Sequence, residues 1–401
     1  MLDETLGDFC ADTEDGKVTI LSRFYPTNSD ESDNGGSPSG KSSGVPTAEP
    51  QYESKFVAEV TVAPEGDLVL EVPSKNGLAR LKVSSQVMCL VSPVFRAMLG
   101  PSSMFKEACE LRASTSGYTL QLEGDDPEAF VAILHVLHCQ TDKVPSAVSF
   151  EDLFHMAIVC DKYDCALAVA AWVDIWAEGW RDLAFDAAYS EWMFISWAFL
   201  LPSIFEPLSR RIVMEGRYDD ELGQLLWGER SLDEIMVPDP VVSAILQVRS
   251  DAIKAILDDT ESYLDLYSNP ERTMCLYQIP ECDVMILGSF VREFRKRGIH
   301  KREKFLLMSL NEVVASIKEI SIYFYSETFF HGDTCSFLPA LFAKVDKICE
   351  GIEGLKLERF SKGVVWRRYK SVFEGKLESL EYKPVQPGAV RGMSTENREH
   401  I

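Results

Sequence analysis

VSSQVMCLVSPVFRAMLG, residues 83–100, is where the apolar spacing of the chain changes period. Upstream of it, Phe56, Ala58, Val60 and Val62 alternate with other residues, and Leu68, Leu70 and Val72 repeat the pattern before Asn76-Gly77 and then Leu81 and Val83. A period of two is the signature of half-buried strands, and Asn-Gly between two such runs predicts a β-hairpin. From Ser84 the spacing turns helical. Val87, Leu90 and Val91 share one face, Ser92-Pro93 supplies an N-cap followed by proline at the first helical position, and Val94, Phe95, Met98 and Leu99 line a second short helix. Downstream, GYTLQL (117–122) reads as a strand, and Asp126-Pro127 caps a helix carrying Phe130, Ile133, Leu134 and Leu137 at i, i+3, i+4 and i+7. Leu153, Phe154, Ala157 and Ile158 continue in the same way. Hairpin, helix pair, strand and stacked helices predict an α+β unit, a small sheet capped by a helical layer.

Four segments in this stretch carry a likeness: residues 83–100, the following Phe105-Lys106-Glu107, GDDPEAFVAILHVLH (124–138) and CDKYDC (160–165). In order and spacing they resemble the BTB/POZ domain, and in particular the BTB-like proteins of filamentous fungi, in which a helical region follows the domain. CDVMILGSFVREFRKRG (282–298), SLNEVVASIKEI (309–320) and GLKLERF (354–360) are similar to that helical region, so the likeness spans most of residues 60–360. It implies a BTB/POZ-type domain over 56–180 and a mostly α-helical region over 181–380. It also implies a non-enzymatic protein-interaction role, as scaffold or adaptor, with dimerisation or partner recruitment through the hairpin and first helices. The surface so implied comprises Asp67, Val69, Leu70, Val87, Leu90, Val91, Val94, Phe95 and Met98. Two departures narrow it. The family's common Ala-His-Lys is here Val83-Ser84-Ser85, so the basic member of its charged dimer pocket is missing while Asp67 matches the acidic one. The loop between Cys139 and Ser149 has no hydrophobic-x-Glu cullin motif, so a cullin-type ligase is not an expected partner; a second copy of the chain or another protein is.

The flanks differ in composition. Across residues 1–50 acidic side chains far outnumber Lys17, Arg23 and Lys41, and NSDESDNGGSPSGKSSGVPTAEP has almost nothing to bury, which predicts a disordered acidic arm over 1–55. An irregular tail is expected over 381–401. With 401 residues and 46% hydrophobic content the chain has material for two or three units. Ten scattered cysteines without a C-x-x-C pair fit a reducing compartment, cytoplasm or nucleus, and no secretory signal is recognised at the start. A formal charge of −23 opposes binding to nucleic acid at long range. The longest apolar run, Trp192 to Leu201, falls short of the ~20 residues of a membrane span.

In the second half, Trp172, Trp176, Trp180, Trp192 and Trp197 crowd one region and read chiefly as core. Pro238-Asp239-Pro240 opens a long helix with a stripe at Val241, Ile245, Val248, Ala252 and Ala255. Arg292, Arg295, Lys296, Arg297, Lys301, Arg302 and Lys304 form a dense basic cluster, which gives an alternative reading as a nuclear regulatory protein. Gly35 to Ser42 fits the G-x-x-x-x-G-K-[ST] phosphate-loop pattern, the mark of a nucleotide hydrolase. Its polar approach and the glycine and prolines that follow deny it the strand and helix that phosphate binding needs. His135, His138 and Cys139 have ligand spacing on one helix, and Cys275, Cys282, His331 and Cys335 form a looser set; both read first as packed or solvent-facing side chains. There is no G-x-S-x-G elbow and no cysteine in a protease context. No catalytic, cofactor-binding or metal-binding residue is assigned at this level.

Overall fold

The computed structural model describes residues 56–75, 77–325 and 334–360. The acidic arm with its Gly35–Ser42 motif, Asn76, His331 and everything beyond Phe360 lie outside the described residues.

The strands β1 (Phe56–Thr61), β2 (Leu68–Ser74), β3 (Gly77–Val83) and β4 (Tyr118–Gln121) make a sheet of order β1-β3-β2-β4. β2 and β3 pair antiparallel with Ser74 opposite Gly77, the hairpin expected from the alternation, and Gly77 takes the positive φ of 141° that the turn requires. β1 runs parallel to β3, and β4 parallel to β2. Val62, Leu68, Leu70, Val72, Leu81 and Val83 are fully buried, each contributing roughly 1.5–3 kcal/mol by leaving water.

Between β3 and β4 lie α1 (Ser85–Val91), α2 (Pro93–Leu99) and α3 (Lys106–Ala113). The Ser84 hydroxyl accepts from Val87 N at a long 3.5 Å, which adds little. The start of α1 is held instead by Asp67, whose carboxylate accepts from Ser85 N at 2.8 Å and Ser85 Oγ at 2.6 Å. Ser92 caps α2 as its sequence predicts, accepting from Phe95 N at 3.1 Å, and its hydroxyl donates onward to Tyr163 O at 2.5 Å. After β4, α4 (Pro127–Leu137) packs on β2 and β3, α5 (Phe150–Lys162) on α4, and α6 (Ala166–Ala177) on both helices. Asp126 caps α4 through Ala129 N at 2.9 Å, and Ser149 with Asp152 forms a capping box on α5.

Three of the four resembling segments meet around Tyr163. Its ring lies between Phe95 and Phe130, with centroids at 4.7 and 5.2 Å. Its hydroxyl donates to Asp125 Oδ2 at 2.7 Å, the oxygen that also takes Lys162 Nζ at 2.8 Å. These residues are therefore the knot that ties the helix pair, α4 and α5 together.

Packing continues past residue 180, where α7 (Trp192–Ala198) lies against α5 and α8 (Pro202–Glu215) against α7. Trp176 and Trp192 are buried, and the indole N–H groups of Trp176 and Trp180 donate to Pro145 O and Val148 O, fixing the loop ahead of α5. Trp172 is half-buried and stacks on Trp176. The tryptophans thus act as core and as loop anchors. A three-stranded antiparallel sheet, β5 (Arg217–Asp219), β6 (Gln224–Trp227) and β7 (Arg230–Ser231), interrupts the region expected to be mostly helical. Its turns use Gly223 and Gly228, both at positive φ.

The spine of the helical part is α9 (Asp239–Ser268), against which α8, α10 (Pro280–Lys296), α11 (Arg302–Leu307), α12 (Leu310–Lys318) and α13 (Leu338–Glu350) pack. Its buried face corrects the expected stripe. Val241, Ile245 and Ala252 are inside, Val248 and Ala255 only half so, and the face includes Arg249, Ile253, Ile256, Leu257 and Thr260. Among the described residues no helix is long and apolar enough to cross a membrane.

Candidate functional site

The implied interaction surface separates into two populations. Leu70 and Phe95 are wholly inaccessible and Met98 nearly so, which removes them from any docking face, because a strand of the central sheet and the inner side of α2 must turn inward to close the core. Val69, Val87, Val91 and Val94 are half-buried, and Leu90 is 75% exposed. The inner face of α1 is Ser85 and Met88, so the Val87, Leu90, Val91 face points outward. Asp67 is exposed but committed to the start of α1, where the Ser85 N–H and hydroxyl stand in place of a basic side chain.

The frame under Leu90 is tied by hydrogen bonds. Arg96 reaches back from α2 to cap the end of α1, its Nε donating to Cys89 O and its Nη2 to Leu90 O, both at 2.8 Å. Ser84 N donates to His138 Nε2 at 3.2 Å, tying α1 to the end of α4. Neither link carries a sequence signature, since a serine N–H and an arginine on an exposed helix face announce no partner.

That bond also decides the fate of the His135, His138 and Cys139 set. With Nε2 accepting from Ser84, His138 is neutral and its Nδ1–H donates to Leu134 O at 2.9 Å, so both ring nitrogens are spoken for. His135 bonds Gln140 Oε1 at 2.9 Å, and Cys139 is exposed; the three do not converge as ligands. Burial pulls the His138 pKa below the ordinary 6.5, the Leu134 carbonyl opposes this, and repulsion from His135 adds to it. In the unfolded chain the imidazole takes its proton near 6.5 while the folded one does not. Its contribution to stability is therefore complete above that pH and is lost as the pH falls through the folded pKa. Urea denaturation from about pH 7.5 down to about pH 5 is expected to show a steeper loss for the native chain than for His138→Gln, whose amide oxygen still accepts from Ser84. Parallel curves would mean that His138 does not set this slope.

The basic cluster is partly neutralised. Arg297 pairs with Glu293 at 3.1 Å and Glu319 at 2.8 Å, Lys296 with Glu293 at 3.3 Å, and Arg302 with Asp258 and with Glu261, the latter at 3.5 Å. Arg292, Arg295, Lys301 and Lys304 are exposed and in no ion pair among the described residues.

The looser cysteine set does converge. Cys275, in the loop between α9 and α10, Cys282, in the first turn of α10, and Cys335, in the turn before α13, are buried with their sulfurs within 4.8 Å of one another. Cys275 and Cys335 are 3.7 Å apart. His331, the fourth member, lies outside the described residues. Burial raises the Cys275 thiol pKa, but N–H groups of Ile279 and Tyr277 aimed at its sulfur outweigh this and bring it below the usual value. Burial pushes Cys282 up to about 12, against an N–H bond from Tyr325. Cys335 is also raised, first by burial, with an N–H from Leu276 opposing. The sequence names these cysteines as a loose set, but their long separations do not show that the sulfurs meet.

A shallow apolar pocket of about 360 Å³ lies between the sheet and α4, lined by Val60, Ala79, Leu81, Val131 and Ala132 with His135 at one side. No Ser, Thr or Cys reaches it. No protein-family model matches the chain, and no curated protein matches it.

Proposed function

We propose that the chain is a non-enzymatic protein-interaction protein of the BTB/POZ type, and that the outer face of α1 and α2 binds a second copy of the chain. The carrying observation is Leu90, a large aliphatic side chain left 75% exposed among the half-buried Val87, Val91 and Val94 on helices that are tied down at Asp67, Arg96 and His138. An apolar side chain on a pre-organised frame loses little entropy on docking, which is what a hot spot needs. The basic cluster supports a nuclear role less well, since three of its seven cations already have carboxylate partners.

Sedimentation velocity at tens of micromolar is expected to show self-association of the native chain. Leu90→Glu should weaken it by about tenfold or more, the effect of losing a hot-spot side chain. Because Leu90 is exposed, the same variant should keep its unfolding free energy within about 0.5 kcal/mol. A native chain that stays monomeric across that range would sink the proposal.

A further inference from the structure

The thiols of Cys275, Cys282 and Cys335 come from three separate pieces of chain, and each piece is shaped for the sulfur it carries. Gln278 sits at a φ of 57°, a left-handed conformation that is strained for a non-glycine residue. That twist curls residues 275–279 so that the N–H groups of Tyr277 and Ile279 both point at Cys275 Sγ. Cys282 lies in the first turn of the 17-residue α10, where the helix dipole favours negative charge. The two pieces are braced by Asp283, whose Oδ2 accepts from Met274 N at 2.6 Å. Leu276 N–H serves Cys335 Sγ, and Tyr325 N–H serves Cys282 Sγ.

The distances select among the uses of three such sulfurs. In a tetrahedral site with Zn–S of about 2.3 Å, the sulfurs stand about 3.8 Å apart. The Cys275–Cys335 separation of 3.7 Å already has that value, and the rest of the triangle is within 4.8 Å. A disulfide needs about 2.05 Å and uses two sulfurs, which leaves the third buried beside it with no role. All-sulfur donors disfavour magnesium and calcium, which take oxygen.

We propose that Cys275, Cys282 and Cys335 bind one zinc ion, which staples the loop after α9, the start of α10 and the turn before α13 to one another. Each thiol gives up its proton to solvent as its sulfur coordinates, and the fourth position of the ion takes a further donor. The role is structural, since the sulfurs are buried and the ion closes a core contact between helices on the α9 spine.

The test uses the full chain purified under reducing conditions. Elemental analysis is expected to find about one zinc per chain, as for a structural site. The ion should vanish on Cys282→Ser and persist in Cys109→Ser and Cys139→Ser, whose thiols are exposed. Cobalt added to metal-free protein should give the sulfur-to-metal charge-transfer bands of several thiolates. Because Cys282→Ser can fail to fold, mapping of alkylated cysteines on the native chain gives an independent reading. The three thiols should resist alkylation until a chelator is added, and the same chelator should lower the thermal midpoint. A folded chain that holds no zinc and takes up no cobalt overturns the proposal. So does zinc that persists in folded Cys282→Ser, or a Cys275–Cys335 disulfide in its place.

Discussion

Tyr163→Ala is expected to destabilise the chain by about 3–5 kcal/mol, the cost of removing a buried aromatic ring whose neighbours cannot collapse into the gap. The ring is 3% exposed and stacked on both faces, by Phe95 from α2 and Phe130 from α4. Its loss would open a cavity where three helices join. Tyr163→Phe keeps both stacks and removes only the hydroxyl that donates to Asp125. It should cost about 1–3 kcal/mol, the range for leaving a buried charged acceptor short of a donor. Lys162 remains on the same Asp125 oxygen and holds the loss toward the lower end. Urea denaturation of the two variants checks both values. A Tyr163→Ala loss below about 1.5 kcal/mol would show that the knot is not what joins α2, α4 and α5.

Local signals made the first half of the fold readable. Ser92-Pro93 and Asp126-Pro127 announce helix starts because the capping oxygen and the fixed proline φ act within one turn, and both caps form. The strands of the hairpin alternate because one face must be buried, and Leu68, Leu70 and Val72 are. The small sheet of β5, β6 and β7 was not readable. Strands of 3, 4 and 2 residues are too short to show a period, and only the glycines at positive φ mark them.

The candidate sites were readable as chemistry but not as places. On the seven-residue α1, Met88 and Leu90 are equally apolar, and nothing local tells that the first is buried and the second is out. Which face turns inward is set by where α4 and the sheet lie, a long-range fact. Cys275 and Cys335 are sixty residues apart in sequence, and only the packing of α10 and α13 on α9 brings their sulfurs into contact. The basic cluster reads as one block in sequence, whereas the fold takes Arg297 and Arg302 into ion pairs with other helices.

The same gap hid Arg249, whose replacement carries the other large expected effect. A search for apolar period skips an arginine, yet Arg249 is 2% exposed in the middle of the buried face of α9. Its Nε donates to Gly216 O at 3.1 Å, at the C-cap of α8, and its Nη2 to Leu306 O at 2.6 Å and to Met308 O, at the end of α11. One guanidinium thus serves carbonyls at two helix ends, where the negative end of each helix dipole favours a cation. Burial pulls its pKa down to about 10, partly offset by Glu312, so at neutral pH it stays charged. Arg249→Ala would orphan these carbonyls and leave a cavity beside them. The expected loss is about 3–5 kcal/mol, as for breaking a buried charged network. Arg249→Lys keeps the charge but has no planar fork to span Gly216 and Met308 together, so it should recover only part of the loss. Amide exchange should then rise first in α11 and at the end of α8, since those ends lose their caps. If Arg249→Lys were as stable as the native chain, charge alone would account for the residue and the fork geometry would be incidental.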